Sequence, residues 1–189
     1  MKEPRKNRVL TGRRFAVLVA DPPWSFADKL GRKRGAARQY QVLSLDEIKK
    51  FPLPSLAKDA FLFLWRVSSQ VEEAYEVVRY WGFVPKSEIV WVKKTKHGNR
   101  HMGMGRTVRG EHEVCIVATR GRPRVKSRGI RSTFDAPVGR HSAKPEAFFD
   151  LVEALAAGPY VELFARRRRR GWTCIGNEVD GPADRRRAA

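Results

Sequence analysis

Phe15-Ala-Val-Leu-Val-Ala20-Asp21-Pro22-Pro23-Trp24 is the stretch that decides the fold. Residues 15–20 form a short, continuous apolar run, as a buried strand does, and the run stops at an acid followed by two prolines and a tryptophan. Proline cannot donate to a central ladder, so the strand ends there. In an open α/β sheet, ligands bind in the crevice outside the carboxyl ends of the strands. Asp21 therefore falls where chemistry is usually done.

An acid-Pro-Pro-aromatic turn suits the activation of an aromatic amine. The lone pair of an exocyclic ring amine, such as the 6-amino group of adenine, is delocalised into the ring. A carboxylate and a backbone carbonyl that accept its two N–H hydrogens draw the nitrogen toward tetrahedral geometry. Asp21 and the Pro22 carbonyl are the natural acceptors, and Pro22 and Pro23 restrict the backbone so that both are in place beforehand. Trp24 offers a flat face for the base, a contact worth roughly 1–3 kcal/mol. The same residues also read as ordinary turn chemistry at a strand end, with Trp24 in the core.

Composition sets outer bounds. The chain has 189 residues, 42% of them hydrophobic, enough for one domain with a real core. Its formal charge of +19 points to a polyanionic partner, most simply nucleic acid. Part of that charge sits in a basic lead-in, residues 1–14, and a basic tail, residues 181–189, with a single domain expected over 15–180. No basic amphipathic helix stands out, which argues against a membrane surface. Cys115 and Cys174 lie in apolar strand-like runs without metal-ligand spacing; they read as buried free thiols in a reducing compartment, and no metal is expected. With no signal peptide or apolar span visible, a soluble cytoplasmic protein is expected.

Farther along, Ser25 to Gln41 is a basic loop carrying Lys29, Arg32, Lys33, Arg34 and Arg38. Ser44-Leu-Asp-Glu47 is a capping box that opens a short helix. Ala60 to Trp65 reads as a second buried strand. Ser69-Gln-Val-Glu72 caps a helix with Val71, Ala74, Tyr75 and Val78 at helical spacing, closed by Gly82. Strands follow at about Ser87 to Val92 and Glu113 to Ala118. The intervening Lys93 to Gly110 segment is glycine-rich and basic, with Lys93, Lys94, Arg106 and Arg109 available to a phosphate backbone. Gly121 to Arg128 is a cationic excursion from the sheet. Lys144-Pro145 precedes a helix with Phe148, Phe149, Val152 and Leu155 inward, closed by Gly158-Pro159. A lysine at a helix start suits an anionic group, although most such lysines are simply solvated. The last strand, Tyr160 to Ala165, carries Glu162, and an acid near a strand end commonly holds ribose hydroxyls; no G-x-G-x-x-G accompanies it.

These stretches together resemble the adenine N6-methyltransferases of the mRNA adenosine methyltransferase (METTL-like) type, which have bacterial and phage members. The resemblance rests on ADPPW at 20–24, FLFLW at 61–65, WGF at 81–83, EIVWVK at 88–93, GEHEVCIVATRG at 110–121, HSAKPEAF at 141–148, ELFAR at 162–166 and WTCIGNE at 172–178. It implies a Rossmann-like α/β fold for S-adenosylmethionine-dependent methyl transfer: a mixed, mostly parallel sheet with helices on both faces and the catalytic turn ahead of the cofactor strand. It implies Asp21, Pro22, Pro23 and Trp24 as catalytic residues, and Asp21, Lys144, Glu162, Phe164, Arg166, Asn177 and Glu178 as cofactor-binding. In particular, Lys144 would meet the methionine carboxylate and Phe164 the adenine. It also implies that the 25–41 and 93–110 loops flank the target base, with Tyr40 and Trp24 among the substrate contacts.

Two departures stand out. Glu178 replaces an amide, and Arg167 to Arg170 replace a loop that carries histidine and asparagine in the family. The expected function is N6-adenine methylation of nucleic acid, DNA ahead of RNA, because the chain is compact, very basic and without an added recognition domain. The alternatives are an RNA adenosine methyltransferase and a catalytically silent nucleic-acid-binding scaffold. A monomer or homodimer fits equally.

Overall fold

A computed structural model describes residues 12–25, 42–103, 105, 107–139 and 143–180. Tyr40, Arg106 and both basic ends beyond residues 12 and 180 lie outside these described residues. The elements are β1 (Phe15–Ala20), α1 (Leu45–Lys49), β2 (Leu56–Arg66), α2 (Val71–Tyr80), β3 (Val84–Lys94), β4 (His112–Arg120), β5 (Thr133–Pro137), α3 (Glu146–Leu155), β6 (Tyr160–Leu163), β7 (Trp172–Ile175) and α4 (Asn177–Asp180).

All seven strands join one sheet in the order β5-β3-β4-β2-β1-β6-β7. Only β4 runs against its neighbours; the β1–β2, β1–β6, β3–β5 and β6–β7 pairs are parallel. Because β1 is central and covered on both faces, its sequence is apolar throughout rather than alternating. Leu18 and Ala20 face one core with Leu62, Leu64, Ile116 and Leu163, covered by Ile48 of α1 and Ala74, Val77 and Val78 of α2. Val17 and Val19 face the other with Phe63, Trp65, Cys115 and Trp91, covered by Phe148, Phe149 and Val152 of α3. The expected architecture, a mostly parallel sheet with helices on both faces, is the one observed.

Local signals held unevenly. At α1 the capping box is complete: the Glu47 amide donates to Ser44 Oγ at 3.3 Å, and the Ser44 amide to Glu47 Oε2 at 2.7 Å. Ser69 does not cap α2. The cap position is Gln70, whose side-chain amide instead donates to the Ser25 carbonyl at 2.7 Å, tying the helix start to the turn after β1. β2 and β3 are each 11 residues long, well beyond the expected spans, because their polar outer residues continue the ladder. β5 and β7 extend the expected sheet by an edge strand at either side. Cys115 is buried as expected, but Cys174, near the β7 edge, is only half-buried.

Trp24 corrects the sequence reading. It is 4% exposed, packs in the core under α1 and α2, and its indole N–H donates to the Trp65 carbonyl at 3.0 Å. That leaves no face for a base to stack on; the ring anchors the Pro-Pro turn to β2 instead. Trp24→Phe is expected to leave a buried carbonyl without its donor and lower unfolding stability by about 1–3 kcal/mol in urea titrations. A stacking tryptophan would show the reverse pattern, weaker base binding with stability intact.

Candidate active site

Register places the site. Ala20 pairs with Leu163, so Asp21 and Phe164 leave the sheet side by side at the ends of β1 and β6. The reversed direction of β4 brings its first residues, rather than its last, to this same end, with Val114 beside Arg66. Glu113 thus arrives at the mouth from a strand that begins there. The segment before α3 supplies Lys144.

These groups meet in a chain of alternating charge. Lys144 Nζ lies 2.7 Å from Asp21 Oδ2 and 3.1 Å from Glu113 Oε2, and Lys93 Nζ lies 2.7 Å from Glu113 Oε1. The Lys144 ammonium also sits 5.0 Å from the centre of the Trp65 ring. Its side chain is 10% exposed and that of Asp21 18%. Burial alone would lower the Lys144 pKa, but the Asp21 and Glu113 charges outweigh it and hold the ammonium above its ordinary value. Burial likewise favours protonated Glu113, yet the Lys144 and Lys93 charges keep its pKa below the usual carboxylate range. All of these directions favour an ionised network.

Above it opens a cleft lined by Asp21, Ala143, Lys144, Phe149, Glu162, Phe164, Arg166 and Arg167. Five of the seven residues expected to hold a cofactor are on its walls. Phe164 sits at φ 61°, a left-handed conformation that is costly for a residue with a side chain, and its ring packs 4.5 Å from that of Phe51. Burial pushes the Glu162 pKa up to about 7, with Asp21 adding to the rise against opposing cations. The Pro22 carbonyl accepts the Trp24 amide at 2.9 Å, which leaves one lone pair for another donor.

Asn177 is not on these walls. It is exposed at the start of α4, beyond β7 and one strand farther out than the β1–β6 crevice. The backbone of Glu178 falls in the same helix, and its side chain lies outside the description. Gly176 precedes them because the chain passes close to Ala165; a Cβ there would stand 2.3 Å from the Ala165 carbonyl oxygen.

The arginine run is neither a free solvated face nor a free clamp. Arg167 and Arg169 both pair with Glu146 at the start of α3, and the Arg169 guanidinium lies 3.7 Å from the centre of the Phe149 ring. Arg167 also reaches the Lys144 carbonyl at 3.4 Å, and Arg168 donates to the Val179 carbonyl at 3.0 Å. Of the expected substrate contacts, Lys93 is paired with Glu113, and Lys94 with Asp135 at 3.0 Å; Arg109 is exposed. Sequence reasoning missed Glu113, Trp65, Phe149 and Glu146, none of which carries a local signal, since each reaches the site only through strand direction or helix docking.

The MT-A70 family profile matches residues 15–178. The chain belongs to the MT-A70 family. It is 34% identical over 175 residues to the zebrafish (Danio rerio) N(6)-adenosine-methyltransferase subunit METTL3, a match over 89% of this chain and 28% of that protein. To the human (Homo sapiens) catalytic subunit METTL3 it is 33% identical, over 89% of this chain and 29% of that one. The chain therefore spans under a third of the METTL3 proteins it matches. To the Type II methyltransferase M.MunI of Mycoplasma sp it is 30% identical over 193 residues, covering 90% of this chain and 80% of that protein. This MT-A70 chain keeps the fold around a cleft whose floor is the Asp21–Lys144 pair.

The raised Glu162 pKa carries a stability consequence. The folded pKa of about 7 exceeds the ordinary carboxylate value, so its favourable contribution is complete below pH of about 4.5 and is lost as pH rises through about 7. Unfolding free energies from urea titrations, measured from acid to mildly alkaline pH, should fall across that window by at most about 3.4 kcal/mol in wild type. Glu162→Gln should flatten that part of the profile.

Proposed function

We propose that this MT-A70 chain transfers a methyl group from S-adenosylmethionine to N6 of adenine in nucleic acid, with DNA favoured over RNA. The observation that carries the proposal is the convergence of Asp21, Lys144, Glu162, Phe164 and Arg166 around one cleft at the ends of β1 and β6. Its donor set fits an amino-acid nucleoside. Lys144 supplies a cation for a carboxylate, and Glu162 and Asp21 supply acceptors for hydroxyl or ammonium hydrogens. Phe149 and Phe164 give apolar walls. When bound, the cofactor supplies a methyl group made electrophilic by its sulfonium.

The protein then has to align rather than to push protons. Asp21 has one oxygen on Lys144, so its other oxygen is the acceptor left for an amine N–H. The remaining Pro22 lone pair is the second acceptor. Lys144 holds the Asp21 carboxylate in one orientation, and Trp24, bonded to the β2 backbone, fixes the turn beneath both. An adenine in a duplex would have to leave the stack to reach Asp21, at a cost of a few kcal/mol.

One comparison favours DNA: the Type II methyltransferase M.MunI is matched over most of its own length, whereas the N(6)-adenosine-methyltransferase METTL3 proteins are matched over less than a third. The +19 charge fits a polyanion of either kind. Among the described residues no helix is long and apolar enough to cross a membrane.

The test is transfer of tritiated methyl from S-adenosylmethionine to matched DNA and RNA oligonucleotides, followed by nucleoside mass spectrometry. Label is expected in N6-methyladenine, more in DNA, and Asp21→Ala should reduce it by about 100-fold or more. Label in cytosine, or label undiminished by Asp21→Ala, would refute the mechanism. No calorimetric binding of millimolar S-adenosylmethionine would favour the silent scaffold.

A further inference from the structure

The cations nearest the cleft are largely committed. Lys144, Lys93, Lys94, Arg100, Arg167 and Arg169 each pair with a carboxylate. The connection from β4 to β5 is different. Arg122, Arg124, Lys126, Arg128 and Arg131 are all exposed, five cations in ten residues. Among the described residues, no carboxylate pairs with Arg122, Arg124, Arg128 or Arg131. Lys126 Nζ donates to the Glu153 carbonyl at 2.7 Å, a neutral partner that leaves its charge uncompensated.

The path of this segment is fixed by its backbone, not by its arginines. Gly121 takes φ +61° where a Cβ would stand 2.7 Å from the Lys58 carbonyl oxygen. The Arg122 amide donates to Asp59 Oδ1 at 2.7 Å, and the Lys126 amide to the Leu155 carbonyl at 2.8 Å. Val125 bridges Ala156, and the Ser132 carbonyl accepts the Val90 amide at 2.7 Å. The guanidinium groups are thereby carried on an ordered main chain with their donors still open. Such pre-organisation reduces what must be ordered when a ligand arrives.

Topology gives the segment a direction. β4 runs against the sheet, so Arg120 lies level with Ala60, at the end opposite Asp21. From there the chain passes the C-terminal end of α3 and climbs to edge strand β5, where Pro137 pairs with Lys94 near the mouth. It re-enters the description at Ala143, on the cleft wall.

We propose that residues 122–131 form a phosphate-backbone rail, holding the nucleic acid that flanks the target base along the β5 edge and away from the mouth. This rests on the methyltransferase function proposed above and adds a surface to it. Five cations at intervals of two or three residues suit a polyanion that presents one charge per nucleotide, and they read no base. On β2, Asp59, which holds the Arg122 amide, and Trp65, level with Asp21 at the mouth, are six residues apart, roughly 20 Å at about 3.3 Å per residue, or about six base pairs of duplex at 3.4 Å each. A duplex confined to the mouth therefore cannot touch the far end of the rail.

The test compares the full chain with a variant carrying Arg122→Ala, Arg124→Ala, Arg128→Ala and Arg131→Ala, none of which touches the cleft. Binding is read by fluorescence anisotropy against salt on hairpin duplexes of about 4 and about 30 base pairs. On the long duplex, the variant should lose about two to four units of the slope of log Kd against log salt, at roughly 0.9 per phosphate, and tenfold or more in affinity. On the short one, binding and methyl transfer should stay within about twofold, since that duplex cannot span the edge. The matching four Arg→Lys changes keep the charge and should keep long-duplex binding.

Equal affinity and equal slope for wild type and the alanine variant on the long duplex, while wild type methylates both, would overturn the rail alone. Loss in the lysine variant as severe as in the alanine variant, with normal melting of both, would also overturn it. Failure of wild type to bind or methylate any polynucleotide would bring down the functional proposal and the rail with it.

Discussion

One ammonium group organises the mouth of this sheet. Lys144 is nearly buried between two carboxylates, 2.7 Å from Asp21 and 3.1 Å from Glu113, and Lys93 balances the second of them. Two cations and two anions make a neutral set, which is what lets charged groups sit this deep. Loss of one member of a buried pair typically costs about 3–5 kcal/mol, because its partner is left charged and dry. The turn after β1, the start of β4 and the segment before α3 thus meet at the mouth through ion pairs set above the apolar core that β1, β4 and α3 share.

That arrangement gives the arginine run a purpose suited to this chain. Arg167 and Arg169 grip Glu146, two residues beyond Lys144, and Arg167 reaches the Lys144 carbonyl as well. The pull of Arg169 on Glu146, through a charge-assisted hydrogen bond, holds that carboxyl below its usual pKa range. Arg168 meanwhile holds the C-terminal end of the last described helix through the Val179 carbonyl. The arginine loop is here a fastening between the end of strand β6 and the segment that presents Lys144. The guanidinium groups of Arg167, Arg168 and Arg169 are spent on the protein, which is why the open basic surface is sought elsewhere.

The sequence made much of this legible, and the limits are physical. The first strand and its turn were readable because a continuous apolar run ending in Asp-Pro-Pro has few other structural solutions. The capping box of α1 was readable because Ser44 and Glu47 act on each other across three residues. Trp24 misled because an aromatic beside a reactive turn suits stacking and core packing equally, and only the position of the Trp65 carbonyl separates them. β5, with the sequence TFDAP, resembles a turn; it is a strand because an edge position tolerates Pro137 and because β3 offers it a free ladder. Glu113 was invisible as a site residue since its arrival depends on β4 running backwards, a fact of topology that no local pattern encodes.

Charge shows the same division between composition and place. The excess of +19 was evident from counting, and counting implied a polyanion. It did not separate cations that are neutralised in the fold from those left to solvent. Lys93 and Lys94, adjacent in a glycine-rich basic stretch, looked like substrate contacts but are each bound to an acid contributed by a neighbouring strand, β4 and β5. Gly121 to Arg128 reads from the sequence as a cationic excursion from the sheet; in the structure the backbone of 122–131 is tied down and its charges are open. Long-range attraction for a phosphate chain follows the uncompensated charges, because paired ones act only as dipoles at a distance. On the proposed function, the field drawing nucleic acid would be set in part along the β5 edge, and the paired groups at the mouth would fix geometry for a base at Asp21.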